Sequence, residues 1–200
     1  AYQILVGDRP DALRAGQANM WDSGKVETEQ CNQVVYEGRP LMSAQRYWWT
    51  VRVWDQAGHV SEYSETVSLQ MGLLNVKDWN ASWIGIDVAP THDPVMKPAL
   101  YMRCSFPLEK QVRKALLFAT ARGCYKALLN GHQVGDDVFN PGWTDYNQRI
   151  QYQTYDVTHL IKQGQNVIAS VVADGWYAGY VGQNSARNHY GEAPELLMQL

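Results

Sequence analysis

Clusters of lysine and arginine, long apolar runs and an apolar leader segment are all missing from this sequence. The net charge is −3 over 200 residues, and without a basic face to displace counterions from phosphates we do not expect a nucleic-acid partner. No apolar run approaches the roughly 18–20 residues of a membrane-spanning helix. The opening AYQILVGDRP has no basic start followed by an apolar segment, so no signal peptide is visible. We therefore expect neither nucleic acid nor a membrane as a partner.

Cysteine is also scarce. Cys31, Cys104 and Cys124 are odd in number, widely separated and without a C-x-x-C spacing, which argues against a disulfide framework or a structural zinc site. Three free thiols fit a reducing compartment, so we expect a cytoplasmic protein. Secretion is the alternative, because one disulfide and one free thiol would also fit the sequence.

Among the aromatic residues only phenylalanine is rare. The chain has 3 Phe but 8 Trp and 12 Tyr, within an ordinary balance of 46% hydrophobic and 18% charged residues. Trp and Tyr suit both half-buried sheet faces and wet ligand surfaces. Both uses are open, and the structural one is the more common.

The hydrophobic periodicity is that of β-strands. Residues 47–54 alternate, DQAG at 55–58 turns the chain and residues 60–71 run back, which predicts a hairpin. With the strand AYQILV and one helical turn within residues 10–20, this predicts a small β-sandwich over residues 1–72. Residues 73–98, which lack clean alternation and carry three prolines, are predicted to be a linker.

A second β-sandwich is predicted over residues 99–200. Asn130-Gly131 lies between two β-type runs and is the strongest short hairpin signal, because a type I′ turn needs positive φ at both positions. Residues 156–163 predict a short helix capped by Asp156 or Thr158. The strand proposed for residues 149–155 would place Tyr152 in the core and Tyr155 on the other face. The fold class is therefore all-β, with a jelly-roll-type antiparallel second domain.

Several separated motifs resemble one family. They are WDSGKV, RYWWTVRVWDQAG with SEYSE, GLL with DW and ASWIG, GCYKALLNGHQVGDDVFNPGWTDYNQRIQYQTYDVT, and ADGWYAG. Together they cover nearly the whole chain, and in this order they are similar to the N-terminal region of bacterial α-L-rhamnosidases of glycoside hydrolase family 78.

The resemblance implies a fibronectin-III-like module followed by a rhamnosidase N-terminal β-sandwich, with a catalytic (α/α)6 barrel further downstream. It implies a parent enzyme, an inverting glycosidase, that removes terminal α-L-rhamnose from glycosides. In some members a related sandwich binds rhamnose and uses calcium. Members have a further strand or two before AYQILV, and this chain stops at PELLMQL. We therefore expect a fragment whose first module lacks its first strands and whose second domain is cut at its C-terminal end.

No catalytic residue is assigned to this chain. An inverting glycosidase needs two carboxyl groups roughly 6.5–9.5 Å apart, and the only adjacent pair is Asp136-Asp137. Neighbours on a strand point to opposite faces, so a turn is the better interpretation, and the resemblance places the catalytic glutamates in the barrel. Asp136, Asp137 and Asn184 are weak calcium candidates because they offer oxygen ligands; solvated loop residues are the favoured interpretation. We expect no cofactor.

The aromatic residues of two segments are candidates for contact with a carbohydrate or with another domain. Trp143 follows the loop residues Asn140-Pro141-Gly142, where a large ring can anchor a corner together with Tyr146. Residues 175–192 form a long glycine-rich loop, of the kind that is more often functional than filler. Its candidates are Trp176, Tyr177, Tyr180, Asn184 and Tyr190. Packing against a neighbouring domain is the favoured role, and sugar binding is the alternative.

The main functional hypothesis is a non-catalytic accessory region of a rhamnoside-cleaving hydrolase, inactive by itself, with the downstream barrel and rhamnose-containing glycosides as partners. The alternative is an autonomous carbohydrate-binding module, and an adhesion ectodomain fits the free cysteines less well. An incomplete first module would leave an unpaired sheet edge, and such edges recruit other chains. We therefore expect pairing of two copies through that edge.

Overall fold

The computed structural model describes residues 1–14, 16–86, 98–182 and 186–200. The chain divides into two compact units, residues 1–75 and 76–200. The domain boundaries inferred from the sequence stay a prediction, although this division groups residues 76–86 with the second unit rather than with a linker. No helix in the described residues is long and apolar enough to cross a membrane.

The first unit is built on a four-stranded antiparallel sheet with the strand order β2-β1-β3-β4. Its elements are β1 (Tyr2–Gly7), α1 (Pro10–Arg14), β2 (Trp21–Asp22), β3 (Arg46–Val53) and β4 (Val67–Gln70). β1, β3, β4 and the helical turn lie within the segments that the hydrophobic pattern predicts, whereas β2 was not predicted. The turn α1 packs against β1 and β3.

The two faces of this sheet differ in chemistry. Directly opposed residues share a face, and the pairs Tyr2–Val53, Ile4–Val51 and Val6–Trp49 make one face apolar. Its outer part, including Val67 and Leu69, remains about half exposed. The other face carries Leu5 and Thr50, which are buried with Leu13 of α1.

The second unit is a sandwich of two antiparallel sheets, with the strand orders β5-β10-β7-β8 and β11-β6-β9. The strands of the first sheet are β5 (Leu100–Leu108), β7 (Cys124–Leu129), β8 (His132–Gln133) and β10 (Gly164–Ala173). Those of the second are β6 (Leu116–Arg122), β9 (Gln153–Asp156) and β11 (Glu195–Gln199). A single helical turn, α2 (Gly175–Ala178), follows β10. The predicted all-β class is confirmed.

The core of the second unit lies between its two sheets. Leu117, Ala119 and Ala121 of β6 are buried together with Leu129 of β7 and Val172 of β10. Every residue from Leu117 to Ala121 is buried, so β6 is covered on both faces, as expected for a central strand with a continuous apolar run.

Residues 76–86 cover the outer face of β6. After a 3-10 turn at Val76–Asp78, the ring of Trp79 packs edge-on against Phe118 at 6.4 Å and against Tyr152 at 5.4 Å between ring centroids. Ile84 then forms a bridge with Leu196 of β11 through two backbone hydrogen bonds of 2.9 and 2.8 Å. These contacts explain why this segment belongs to the second unit.

Both predicted hairpin turns are present. Asn130 and Gly131 have φ of 52° and 87°, the signature of the predicted type I′ turn, and β8 pairs with β7 directly after it. In the first unit, Gly58 N–H donates to Asp55 C=O at 3.1 Å, and Trp54 forms a bridge with Val60.

The strand predicted for residues 149–155 is shorter in the structure, and the opposite set of its side chains faces the core. It begins only at Gln153, and Tyr155 rather than Tyr152 packs against the core. The reason is a polar group inside the sandwich: the Tyr125 hydroxyl donates to Gln153 Oε1 at 2.9 Å and lies 3.4 Å from the Tyr155 hydroxyl. The helix predicted at 156–163 is a 3-10 turn, Thr158–Leu160, and Asp156 accepts a hydrogen bond from Thr158 N–H before it.

Candidate functional site

The two aromatic segments singled out in the sequence meet at one end of the second unit. The residues around Trp143 and the segment that begins with α2 form two sets of ring contacts, joined along the chain by the neighbouring Trp176 and Tyr177 of α2, and we call them together the aromatic end cluster. Its members are Phe139, Trp143, Tyr146, Trp176, Tyr177 and Tyr190.

The outer part of the cluster is a pair of tryptophans. Trp143 and Trp176 are stacked, with ring centroids 6.3 Å apart and an interplanar angle of 6°. Phe139 approaches Trp176 edge-on at 6.2 Å. Trp143 is 54% exposed and Phe139 is 69% exposed. A large apolar surface therefore faces solvent, a feature that marks binding or docking surfaces in soluble proteins.

The inner part of the cluster is a set of three tyrosines. Tyr146 contacts Tyr177 at 5.5 Å and Tyr190 at 5.1 Å, and Tyr177 stacks on Tyr190 at 6.4 Å. Tyr146 is buried, and its hydroxyl donates to Gly142 C=O at 3.2 Å. Tyr177 directly follows Trp176 on α2, so the chain itself joins this set to the tryptophan pair.

Tyr146 should make stability sensitive to alkaline pH. Burial raises the pKa of Tyr146 to about 12, above its value of about 10 in an unfolded chain. A raised pKa in the folded state gives stability that is complete below pH 10 and is lost as the pH rises toward 12. We expect Tyr146→Phe to flatten the fall in unfolding free energy over this range, measured by urea denaturation at several pH values.

The matched control for this change is Tyr101→Phe, because Tyr101 is 83% exposed on β5. It removes a tyrosine hydroxyl without touching the cluster. An alkaline loss that is equally steep in Tyr146→Phe and in the unmodified chain would contradict the assignment.

A glycine at the end of β10 directs the chain into the cluster. Gly175 has φ of +50°, and a Cβ atom there would lie 2.7 Å from Cys124 Sγ and 2.8 Å from Cys124 N. This close approach lets α2 begin directly against β7 and places Trp176 and Tyr177 on its first turn. The pKa of the Cys124 thiol is raised by burial, in keeping with a packing role.

The segment after α2 is held by a nearly buried ion pair. Arg187 binds Asp174, the residue before α2, and the side chains are 9% and 16% exposed. The Arg187 guanidinium also lies over the ring of Tyr180 at 5.1 Å. Tyr190 N–H donates to Tyr177 C=O at 3.3 Å. Tyr180 is thus held beside the cluster through Arg187.

A hydrogen-bond network supports the other segment. The Tyr155 hydroxyl accepts from Asn140 Nδ2 at 2.8 Å and donates to Asp137 at 3.3 Å. It also meets the Tyr125 hydroxyl inside the sandwich. Burial raises the pKa of both tyrosines, so both hydroxyls stay protonated at neutral pH. The network fixes the loop that carries Phe139 and Trp143.

Two of the three calcium candidates, Asp136 and Asp137, lie in the described residues. Asp136 and Asp137 are exposed loop residues, and Asp137 accepts the hydrogen bond from Tyr155. Asn184 lies outside the described residues. Within residues 1–14, 16–86, 98–182 and 186–200 there is no group of three His, Cys, Asp or Glu side chains that could hold a metal ion. The expectation that no cofactor is bound stays a prediction.

Sequence reasoning found four of the six cluster residues as candidates and missed the role of two. Tyr146 was interpreted only as an anchor for its own loop, and Phe139 was not considered. Neither lies in a periodic pattern: Phe139 has a φ of 58° in an irregular loop. The pairing of Trp143 with Trp176 depends on where β7 and β10 lie, which no local pattern specifies.

Two family models match the chain, one for each unit. Residues 1–75 match the Rha78A-like N-terminal immunoglobulin domain, and residues 110–200 match the α-L-rhamnosidase N-terminal domain. The first name specifies an immunoglobulin domain where the sequence suggested a fibronectin-III-like module, and both are antiparallel β-sandwiches.

Similar proteins carry the same enzyme name. The chain is 40% identical over 205 residues to an α-L-rhamnosidase of Formosa agariphila, a match that covers 100% of this chain and 22% of that protein. It aligns with native α-L-rhamnosidase from Aspergillus terreus with a TM-score of 0.79 at 34% identity, over 98% of this chain and 22% of the other.

It also aligns with Streptomyces avermitilis α-L-rhamnosidase complexed with L-rhamnose, with a TM-score of 0.84 at 26% identity, over 100% of this chain and 35% of the other. The chain thus spans about a fifth to a third of the length of these three relatives. It corresponds to the N-terminal region of the α-L-rhamnosidases of glycoside hydrolase family 78.

Proposed function

We propose that this chain is the non-catalytic N-terminal region of a longer enzyme that cleaves terminal α-L-rhamnose from glycosides. In this proposal the aromatic end cluster packs against a downstream catalytic domain of the same protein. The observation that carries it is the cluster itself: Trp143, which is 54% exposed, stacks on Trp176, which lies 33 positions further along the chain.

The physical argument rests on the cost of exposing such rings. Trp143 and Phe139 are more than half exposed, and apolar surface is stabilised when another surface removes it from water, by about 25 cal/mol for each Å². Aromatic residues are enriched in the buried centre of interfaces. The ion pair between Arg187 and Asp174 and the tyrosines beneath give the surface a fixed shape, as a domain contact requires.

The alternative function is carbohydrate binding by this region itself. The same exposed rings favour it, because an aromatic face can lie against the apolar side of a sugar ring while amide side chains bind its hydroxyl groups. Trp143 is covered on one side by Trp176, which leaves at most its other face for such a contact. A calcium-dependent rhamnose site remains part of this alternative.

Two measurements on the 200-residue chain separate these functions. We expect no hydrolysis of an aryl α-L-rhamnoside above a mock preparation, because no convergent acid pair is assigned, and no heat of binding on titration with L-rhamnose in the presence or absence of calcium. Turnover by the chain would contradict its non-catalytic role. Calcium-dependent binding of rhamnose that is abolished by Trp143→Ala would favour the binding module.

Two further expectations belong to this proposal. Pairing of two copies would use an exposed strand edge of the first unit, whose outermost strands are the short β2 and β4. A cytoplasmic location fits the three cysteines, all of which are free thiols in the structure.

A further inference from the structure

A second apolar surface lies in the second unit, between the sheet edges formed by β5 and β11. It is a groove of about 690 Å³. Apolar side chains of both sheets line it, among them Met102, Phe106 and Leu108 of β5, Ile168 of β10, and Leu196 and Met198 of β11. The groove is therefore continuous with the core of the sandwich.

Cys104 shows that the groove is open along β5. Cys104 lies opposite Ile168 of β10 in the register. Its neighbours on the same face of β5 are Met102 and Phe106, which lie opposite the buried residues Ser170 and Asn166. Since side chains alternate along a strand, Cys104 is on the core-facing side with Met102 and Phe106. It is nevertheless exposed, because no described residue covers this part of the inner face.

The backbone of β5 is also open to pairing. In the described residues β5 pairs only with β10, at the edge of its sheet. The outer side of β11, by contrast, is already bridged by Ile84. An apolar groove beside an unpaired edge strand is a surface on which a further strand gains both hydrogen bonds and burial.

We propose that the polypeptide directly following Leu200 in the longer protein supplies an extended segment that pairs with the edge of β5 and covers this groove. β11 ends at Gln199, and Leu200 itself lines the groove, so a segment that follows Leu200 would begin beside the groove. The segment would carry apolar residues at alternate positions, facing Met102, Cys104 and Phe106. This inference rests on the proposed function, because it requires a longer protein.

Cys104, a native residue that lines the groove, provides the test. We would label the 200-residue chain with a maleimide and follow each cysteine by peptide mapping, then repeat this on the longer protein and on chains extended past Leu200. The extensions increase by about 20 residues, the length of a loop and a strand. Exposed Cys31 is the internal reference, and Cys104→Ser identifies the signal.

We expect Cys104 to react as fast as Cys31 in the 200-residue chain and to be protected by about tenfold or more once the covering segment is present, since reaction then requires local opening. Protection should appear in an early extension that lacks any catalytic domain, so the outcome does not depend on rhamnosidase activity. Protection already present in the 200-residue chain, protection only in the whole enzyme, or unprotected Cys104 throughout would each overturn the inference.

Discussion

Replacing Asn166 by alanine is expected to lower the unfolding free energy of the second unit by about 3–5 kcal/mol, because buried groups left without partners cost about 1–3 kcal/mol each. Asn166 is fully buried. Its Oδ1 accepts from Lys162 N–H at 3.1 Å and from Asn130 Nδ2 at 2.8 Å, and its Nδ2 donates to Lys162 C=O at 2.7 Å and Gly164 C=O at 3.0 Å. Alanine would remove all four of these hydrogen bonds.

Two further variants identify the cause of this loss. Asn166→Asp keeps the size of the side chain but places a second oxygen against the carbonyls of Lys162 and Gly164, so we expect it to be at least as destabilising as alanine. Asn147→Ala, a change at an exposed residue, is the control and should change stability by less than about 0.5 kcal/mol. Urea denaturation of the four proteins is the measurement, and an Asn166→Asp variant as stable as the unmodified chain would contradict the hydrogen-bond argument.

Gly175→Ala is expected to lower the unfolding free energy by about 2–4 kcal/mol, because both the positive φ and a clash with backbone atoms oppose the new Cβ atom. The added atom would lie 2.7–2.8 Å from Cys124 and from Gly123 C. We expect the variant to displace α2, and with it Trp176 and Tyr177, so the near-ultraviolet circular dichroism of the aromatic end cluster should change as well.

Gly182→Ala separates the clash from the backbone conformation. Gly182 also has a positive φ, +74°, but a Cβ there would meet nothing within 4 Å. We therefore expect Gly182→Ala to lower the unfolding free energy by only roughly 1–2 kcal/mol, the cost of a left-handed backbone conformation for a residue with a Cβ atom. Equal losses in thermal denaturation for the two glycine variants would show that the contact with Cys124 is unimportant.

Local signals in the sequence predicted the local features of the fold well. Asn130-Gly131 specifies its own turn, because the dihedral angles it favours are those of a hairpin. Asn130 then also ties that turn to the rest of the unit, since its Nδ2 donates to Leu160 C=O and its Oδ1 accepts from Val167 N–H. This second role depends on residues 30 to 37 positions away and has no local pattern.

The differences between expectation and structure come from features that depend on tertiary context. Hydrophobic alternation placed Tyr152 in the core, but the buried Tyr125 hydroxyl draws Gln153 and Tyr155 inward instead. Residues 76–86 were interpreted as part of a linker because their apolar residues do not alternate. The ring of Trp79 covers Phe118 on the outer face of β6. The sequence pattern alone does not show that this face needs a cover, because the position of β6 in the sheet is not known at that stage.

The aromatic end cluster could be predicted only in its parts. Glycines and aromatics identified residues 175–192 as a functional loop, and Trp143 as the residue after a turn. These segments touch through the rings of Trp143 and Trp176, which are 33 positions apart in the chain. This contact follows from the placement of β7 beside β10. Residues 175–192 were interpreted as a surface that contacts another domain, and Trp143 mainly as the anchor of a corner; in the structure the two segments meet.

The central claim, that this surface serves assembly of the longer enzyme, is tested most directly by Trp176→Ala made both in the 200-residue chain and in the longer protein, with Tyr101→Ala as the exposed-aromatic control. We predict that the longer protein loses about 1–3 kcal/mol more than the isolated chain, the range of an interface anchor, while KM for an aryl α-L-rhamnoside is unchanged. Equal losses of stability in the two proteins together with a large, selective rise in KM would contradict the account and assign the cluster to sugar recognition.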